Sequence, residues 1–333
     1  MHTPLISILM PVHNAADTLA AAVDSIRRQT FTDWELIVVD DGSTDASAEI
    51  MAQNALQDVR IQCVQRVRCG IVEALVTAAE KARGRLLARM DADDIAAPNR
   101  LEAQVVLFDA TPDIALCGTR VRMFGSNVGS GRKRYESWIN SLVDHDEMER
   151  EIFVECPIPH PSFMMPCELY DSVGGYRDCG WPEDYDLVLR IWKQGGLFAK
   201  PEPVLLQWRS QPLQLSMTDD RYHEKAFRAL KRYFLYTTVL HNIENRFYQW
   251  GAGEVGKRWL REWPQPPQAV VDINPRKIGH SIHGVPVIAP EQLPPPGVCV
   301  ILIAVGAPGA RNEIRKYLYP KGYREPDHFR FIA

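Results

Sequence analysis

The sequence predicts an α/β protein built on a mostly parallel sheet flanked by helices, and two observations carry that expectation. Short apolar runs recur along the chain, each followed by a polar turn and then by a stretch whose apolar residues share one helical face. The same alternation starts afresh near the C-terminus, and 333 residues exceed the usual size of one domain. The expectation is therefore two α/β units in tandem.

The elements follow in order. LISILMPV is a short apolar run ending in Pro, and in NAADTLAAAVDSIRRQ either Asn14 or Asp17 could cap a helix whose Leu19, Val23 and Ile26 share a face. WELIVVDDGSTDASAEIMAQ repeats the pattern, with a buried strand at 34–39, an acidic turn, and a helix capped near Ser43 or Asp45. RIQCVQ, GIVEALVTAAEKARG and RLLARM then read as strand, helix and strand, with DADD directly behind.

Composition narrows the class. An apolar fraction of 46% beside 24% charged residues suits a globular protein with a sizeable core. VCVILIAVG, the longest apolar run, falls well short of the roughly 20 residues that span a bilayer. No basic segment with a following apolar stretch opens the chain, so a cytoplasmic protein is expected. Seven cysteines without a CxxC pair fit a reducing compartment better than a disulfide framework or a structural zinc site. The net charge of −4 divides unevenly: from Asn245 onward twelve Lys or Arg face seven Asp or Glu, whereas residues 1–244 carry 26 against 35. No nucleic-acid partner is expected.

Ligands of open α/β sheets bind outside the carboxyl ends of the strands. Three loops belong there: PVHN at 11–14, DDGST at 40–44 and DADD at 91–94. Each alone could be ordinary turn chemistry, because Asp, Asn, Gly and Ser favour turns through local hydrogen bonds. Three carboxylates within four residues, however, repel one another unless a cation lies among them. Mg²⁺ and Mn²⁺ take oxygen ligands, commonly one or two carboxylates plus substrate phosphates. Asp91 and Asp93, two apart, would point the same way if the strand continued.

The order PVHN, SIRRQTFTDWELIVVDDGSTD and ARMDADD followed by PNRLEAQ resembles the family 2 inverting glycosyltransferases of the GT-A fold. The resemblance runs on through IPHPSFMM and GGYRDCGWPEDYDLVLRIWKQG to WRSQPLQLSMTDDRY, about two thirds of the chain. It implies transfer of a sugar from a nucleotide-diphosphate sugar, UDP-linked by preference, to an acceptor hydroxyl of a saccharide or lipid-linked glycan. Asp93 and Asp91 of the DxD motif would hold Mn²⁺ or Mg²⁺ against the departing diphosphate, and Asp184 of WPEDYD would be the general base, with Glu183 beside it. Pro11, His13 and Asn14 would line the base and ribose pocket, Asp40 would bind the base, Asp41 would lie near the ribose, and Arg68 would approach the base or diphosphate. His160 and Trp181 are placed on the acceptor side, His160 being equally readable as a core histidine. Two positions depart from the family: Gln211 stands where a His is common, which weakens a third metal ligand, and Val76 replaces a frequent Asn.

Beyond residue 244 the chain begins again. NRFYQWGAGEVGKRWLREW is a strand followed by Gly251, Gly253 and Gly256 in GxGxxG spacing at the start of a helix, and Asp272 ends the next strand, AVVDIN. This segment resembles a small Rossmann-like accessory domain. Its glycines either admit a nucleotide phosphate or serve only close packing of strand on helix. Between the regions, RYHEKAFRALKRYFLYTTVLHN reads as a helix whose stripe of Phe227, Leu230, Phe234 and Tyr236 either is buried or lies on a membrane surface. The expected organisation is a GT-A domain over 1–222, a connecting helix over 223–244 and the accessory domain over 245–333. The competing reading is a nucleotide-sensing or scaffolding protein on a transferase fold.

Overall fold

The computed structural model describes residues 3–211, 214–241 and 247–333. Residues 242–246, which include the expected joint at 244/245, lie outside the described residues. The chain forms two compact units. The first comprises 1–145 and 157–222, the second 146–156 and 223–333. The stretch 146–156, inside the span read as the first domain, thus packs with the second unit.

The first unit carries β1 (Ile6–Val12), β2 (Trp34–Asp41), β3 (Ile61–Arg66), β4 (Leu86–Arg89), β5 (Ile95–Ala96), β6 (Ile114–Cys117), β7 (Arg120–Phe124), β8 (Met164–Pro166), β9 (Leu197–Ala199) and β10 (Val204–Arg209). Seven strands form one sheet in the order β3-β2-β1-β4-β8-β6-β9, and β5-β10-β7 form a small second sheet. β1 to β4 are parallel, and β8 alone runs against both its neighbours, β4 and β6. All eight residues of β2 are buried, as its apolar run Leu36–Val39 implies for a strand covered on both faces, and the buried Glu35 takes the Ser7 hydroxyl and the Arg83 guanidinium, both at 2.6 Å. Helix Leu19–Arg27 buries Leu19, Ala22, Val23 and Ile26, a 3.6-residue stripe in which each large apolar side chain contributes about 1.5–3 kcal/mol. Its N-cap is Thr18, not Asn14 or Asp17. Asn14 is unavailable because it adopts a positive φ of 50° and its side-chain oxygen accepts the Thr44 N–H at 2.8 Å.

The connectivity locates the cleft. From β1 the chain winds one way through β2 to β3, then returns to lay β4 on the other side of β1. The loops after β1 and β4 therefore diverge, and the gap between them is the topological switch point where open sheets bind ligands.

The second unit repeats this logic with β11 (Phe247–Trp250), β12 (Val270–Val271), β13 (Ser281–Ile282), β14 (Val285–Ile288), β15 (Val300–Ile303) and β16 (Phe329–Phe331), in the order β13-β14-β12-β11-β15-β16. Every pairing but β13–β14 is parallel. Helix Glu224–Thr237 belongs here, with Leu230, Phe234 and Leu235 buried and Tyr236 edge-on to Trp263 at 5.9 Å. Glu151 of the segment 146–156 pairs with Arg315 at 2.8 Å and with Arg311.

Candidate active site

A cleft of about 370 Å³ opens at the switch point of the first unit. Pro11, His13 and Asn14 enter it from the end of β1, and Arg89, Asp91 and Asp93 from the end of β4. His160, Glu183 and Asp184 line it too, as do Trp208, Arg209 and Gln211 from the end of β10, together with Arg132 and Tyr222.

The acidic centre is compact. Ligand atoms of Asp91, Asp93 and Asp94 all lie within 4.8 Å of one another. Burial, and then the charge of Asp91, pushes the Asp93 carboxyl up to about 6, and burial drives Asp94 well above the ordinary aspartate value. One compensating charge is built in: the fully buried Arg89 donates to Asp91 Oδ1 at 2.7 Å. Asp94 turns inward, its Oδ1 accepting the Arg209 N–H at 2.7 Å, while its buried Oδ2 meets no donor among the described residues. An unmet carboxylate oxygen beside two further carboxylates is a donor set that suits a hard divalent cation. Arg209 is held over the Phe124 ring and donates from Nε to the Asp93 carbonyl at 2.7 Å, which brings a guanidinium to the same edge. Gln211 lines the cleft near this edge.

Glu183 and Asp184 open the helix Glu183–Lys193 behind Pro182. The helix start is fixed by Asp186, fully buried, which accepts from Arg190 at 2.8 Å and from the Trp181 indole at 3.2 Å. Glu183 is 1% exposed and takes the Tyr222 hydroxyl, and burial raises its carboxyl above the usual range. Asp184 is only half-buried. The two acids thus differ as adjacent residues at a helix start should, one drawn inward and one left on the cleft surface. His160 lies 3.7 Å from Glu183 through Nδ1 and 2.8 Å from the Tyr176 hydroxyl through Nε2. Burial, then Arg89, holds it well below the ordinary histidine value, so it is neutral. It is at once a hydrogen-bonded core histidine and part of the cleft floor.

The remaining expected residues are not in the cleft lining. Asp41 accepts the N–H groups of Cys69 and Gly70 at 2.7 and 2.8 Å, and Asp40 accepts that of Ser43 at 3.0 Å. Both are buried and shape loops outside the lining. Arg68 is also outside it, but its guanidinium caps Nε2 of His13, whose Nδ1 is tied to the Asp41 carbonyl at 2.9 Å. The loops are pressed together at Gly42, where φ is +69° and an added Cβ would sit 2.8 Å from the Arg68 nitrogen. Trp181 is likewise outside the lining. Sequence reasoning did not single out Arg89, Arg132, Arg209 or Tyr222. Arg89 carries a signal in hindsight, a basic residue two positions ahead of the acidic cluster. Tyr222 carries none, being 39 residues from its partner Glu183.

Comparison with known proteins agrees with this geometry. Residues 7–173 match the model of glycosyl transferase family 2. An uncharacterized glycosyltransferase of Haemophilus influenzae is 27% identical over 236 residues, covering 69% of this chain and 72% of its own. Among solved structures, S. aureus TarS 1–349 in complex with UDP superposes with a TM-score of 0.53 at 15% identity, over 69% of this chain and 65% of that one. The mannosyltransferase PcManGT of Pyrobaculum calidifontis, in complex with GDP-Man and Mn²⁺, gives 0.51 at 17% identity, over 72% and 74%. At such identities these structures speak for the fold alone. With its cleft at the β1–β4 switch point and the family model spanning half its length, the chain belongs to glycosyl transferase family 2 and is a glycosyltransferase.

Proposed function

We propose that the first unit is an inverting transferase that moves a sugar from a nucleotide-diphosphate donor, UDP-linked by preference, to a hydroxyl of a saccharide or lipid-linked acceptor. The observation that carries this reading is one cleft lined both by the Asp91–Asp93 pair and by Asp184. A relative named for O-antigen biosynthesis in Escherichia coli supports a glycan acceptor.

Inversion needs a single displacement. The acceptor oxygen attacks the anomeric carbon, its proton passes to the Asp184 carboxylate, and the bond to the diphosphate breaks with its electron pair leaving on the diphosphate oxygen. Of the two adjacent acids that line the cleft, Asp184 suits the proton because it is only half-buried, whereas Glu183 is 1% exposed. A divalent cation held by Asp93 and Asp91 would supply Lewis-acid neutralisation of the leaving diphosphate. Arg209 and Arg132, both in the lining, add positive charge for it. His13, with Nδ1 tied to the Asp41 carbonyl and Nε2 to Arg68, presents a ring of fixed orientation for the nucleoside.

The test is incubation of the purified chain with UDP- and GDP-linked sugars, Mn²⁺ and a panel of glycan acceptors, following release of nucleoside diphosphate and the product anomer by NMR. Acceptor-dependent release with inversion supports the proposal. Retention of configuration would refute the single displacement, and consumption of no donor would refute the transferase reading of this cleft.

A further inference from the structure

The second unit has its own crevice, of about 880 Å³, at the carboxyl ends of β11, β12 and β15. This is again a switch point, since β12 and β15 flank β11 on opposite sides. The three glycines of its first loop are not equivalent. Gly251 has φ of +118°, and a Cβ there would lie 2.5 Å from the Ala304 carbonyl oxygen. A Cβ on Gly256 would lie 1.9 Å from the Gly251 oxygen. Packing explains both. Gly253 is different: its φ of −81° suits any residue, and a Cβ would meet nothing within 4 Å. The fold does not need glycine at 253, and that position lines the crevice.

The polar groups beside it are set for a ribose and a phosphate. Asp272, 8% exposed at the end of β12, accepts the Ala252 N–H at 3.0 Å and the Lys277 amine at 3.1 Å on Oδ2, but among the described residues only the Asn274 N–H, at 2.8 Å, on Oδ1. Oδ1 keeps an acceptor site for a hydroxyl. Lys277 spends a second proton on the Ala252 carbonyl at 3.1 Å, which leaves its third for an anion between Asp272 and Gly253. Next to Asp272 the crevice is apolar through Ile278 and Ile273, the latter 77% exposed, a shelf of the kind that takes the face of a base. Of the other acids in the lining, Glu254 and Glu313 have ammonium partners of their own, Lys257 at 3.2 Å and Lys316 at 2.9 Å, and Glu291 takes the Tyr317 hydroxyl at 3.3 Å.

We propose that this crevice binds a ribonucleoside diphosphate group, with the diphosphate against Gly253 and Lys277, the ribose hydroxyls on Asp272 Oδ1 and the base on Ile273 and Ile278. It is a second nucleotide site, separate from the transferase cleft and without a carboxylate cluster to require metal. A free nucleotide, a nucleotide sugar or a dinucleotide would all present this group.

The test uses the whole chain, because the second unit is discontinuous in sequence. Calorimetry with ADP, UDP, UDP-GlcNAc and NAD, each in excess EDTA, reads this site; the same titrations with Mn²⁺ add the transferase cleft. At least one ligand should bind in EDTA, and which one binds identifies the source of the group. Gly253→Val, which the empty fold accommodates, should weaken that binding tenfold or more, as should Lys277→Ala, while Asp93→Ala should leave it intact. Absence of binding in EDTA at millimolar ligand, parental affinity in Gly253→Val, or loss of the EDTA-resistant binding in Asp93→Ala would each overturn the proposal. The last result would return that binding to the first cleft.

Discussion

The Tyr222 hydroxyl stands 2.8 and 3.0 Å from the two carboxylate oxygens of Glu183, a bond between the end of the first unit's chain and the start of the helix that carries Asp184. A buried carboxylate that loses such a donor bears the cost of desolvation without compensation. Tyr222→Phe should therefore lower stability by about 1–3 kcal/mol, measured by urea unfolding. Turnover should fall less than in any Asp184 variant. A change in stability under a few tenths of a kcal/mol would mean that Glu183 is satisfied elsewhere.

Asp184→Asn preserves shape but cannot take a proton. Turnover should drop by about 10²-fold or more, with nucleotide affinity little changed. Near-parental turnover would move the role of base to another group, and Glu183→Gln is the variant to compare.

Metal affinity should depend on pH through Asp93. Because its carboxyl is pushed up to about 6, protons compete with a cation that needs the carboxylate. Mn²⁺ affinity should fall as pH drops through about 6 and level off above about 7. Folding of the metal-free protein has the opposite sign: a pKa raised in the folded state means more bound protons there, so this contribution to stability is lost as pH rises towards 6. Calorimetric titrations across that range check the first statement, and a flat profile, or an Asp93→Ala variant of parental affinity, would defeat it.

Arg89 is the internal counter-charge of the acidic cluster. Arg89→Leu should destabilise the metal-free protein by about 1–3 kcal/mol, since Asp91 and the Met90 carbonyl lose their donor. It should also make the site more negative, so the rise in melting temperature on adding Mn²⁺ should be larger in the variant. An equal or smaller rise would show that Arg89 does not balance the charge that the cation meets.

Gly256→Ala probes packing in the second unit. With a Cβ only 1.9 Å from the Gly251 oxygen, strand and helix must separate, at a cost of about 1–3 kcal/mol. A lowered melting temperature for Ala at 256, beside a parental one for Val at 253, would separate the packing glycine from the one that packing does not require.

What the sequence made legible is what local pattern dictates. The largely apolar stretch at 34–39 became a strand buried on both faces, and the periodicity of Leu19, Val23 and Ile26 marked the buried side of its helix. The DADD cluster and the GAGEVG loop stood out because their residue types are costly or unusual where they occur. Contacts between distant residues were not legible. Asp40 and Asp41 read as ligands for a nucleoside, and nothing in the sequence shows that Asp40 Oδ1 also takes the Ser43 N–H or that Asp41 takes those of Cys69 and Gly70. Asn14 looks like a helix cap, but the loop after β2 claims its side chain. Nothing in the sequence sets the stretch 146–156 apart, and distant contacts such as the pairing of Glu151 with Arg311 and Arg315, 160 and 164 residues away, reveal which unit it joins.

That stretch limits how this protein can be rearranged. The chain passes from one unit to the other three times, at 145/146, 156/157 and 222/223. A crossover at 222, the point where a designer would cut, would strip the C-terminal piece of Met148, Ile152 and Phe153, all buried, and of the acid that pairs with Arg311 and Arg315. The retained N-terminal piece would carry those apolar side chains without the unit that they pack with. Neither half is a transferable cassette, so recombination that reassigns the second unit to another transferase must carry two segments at once.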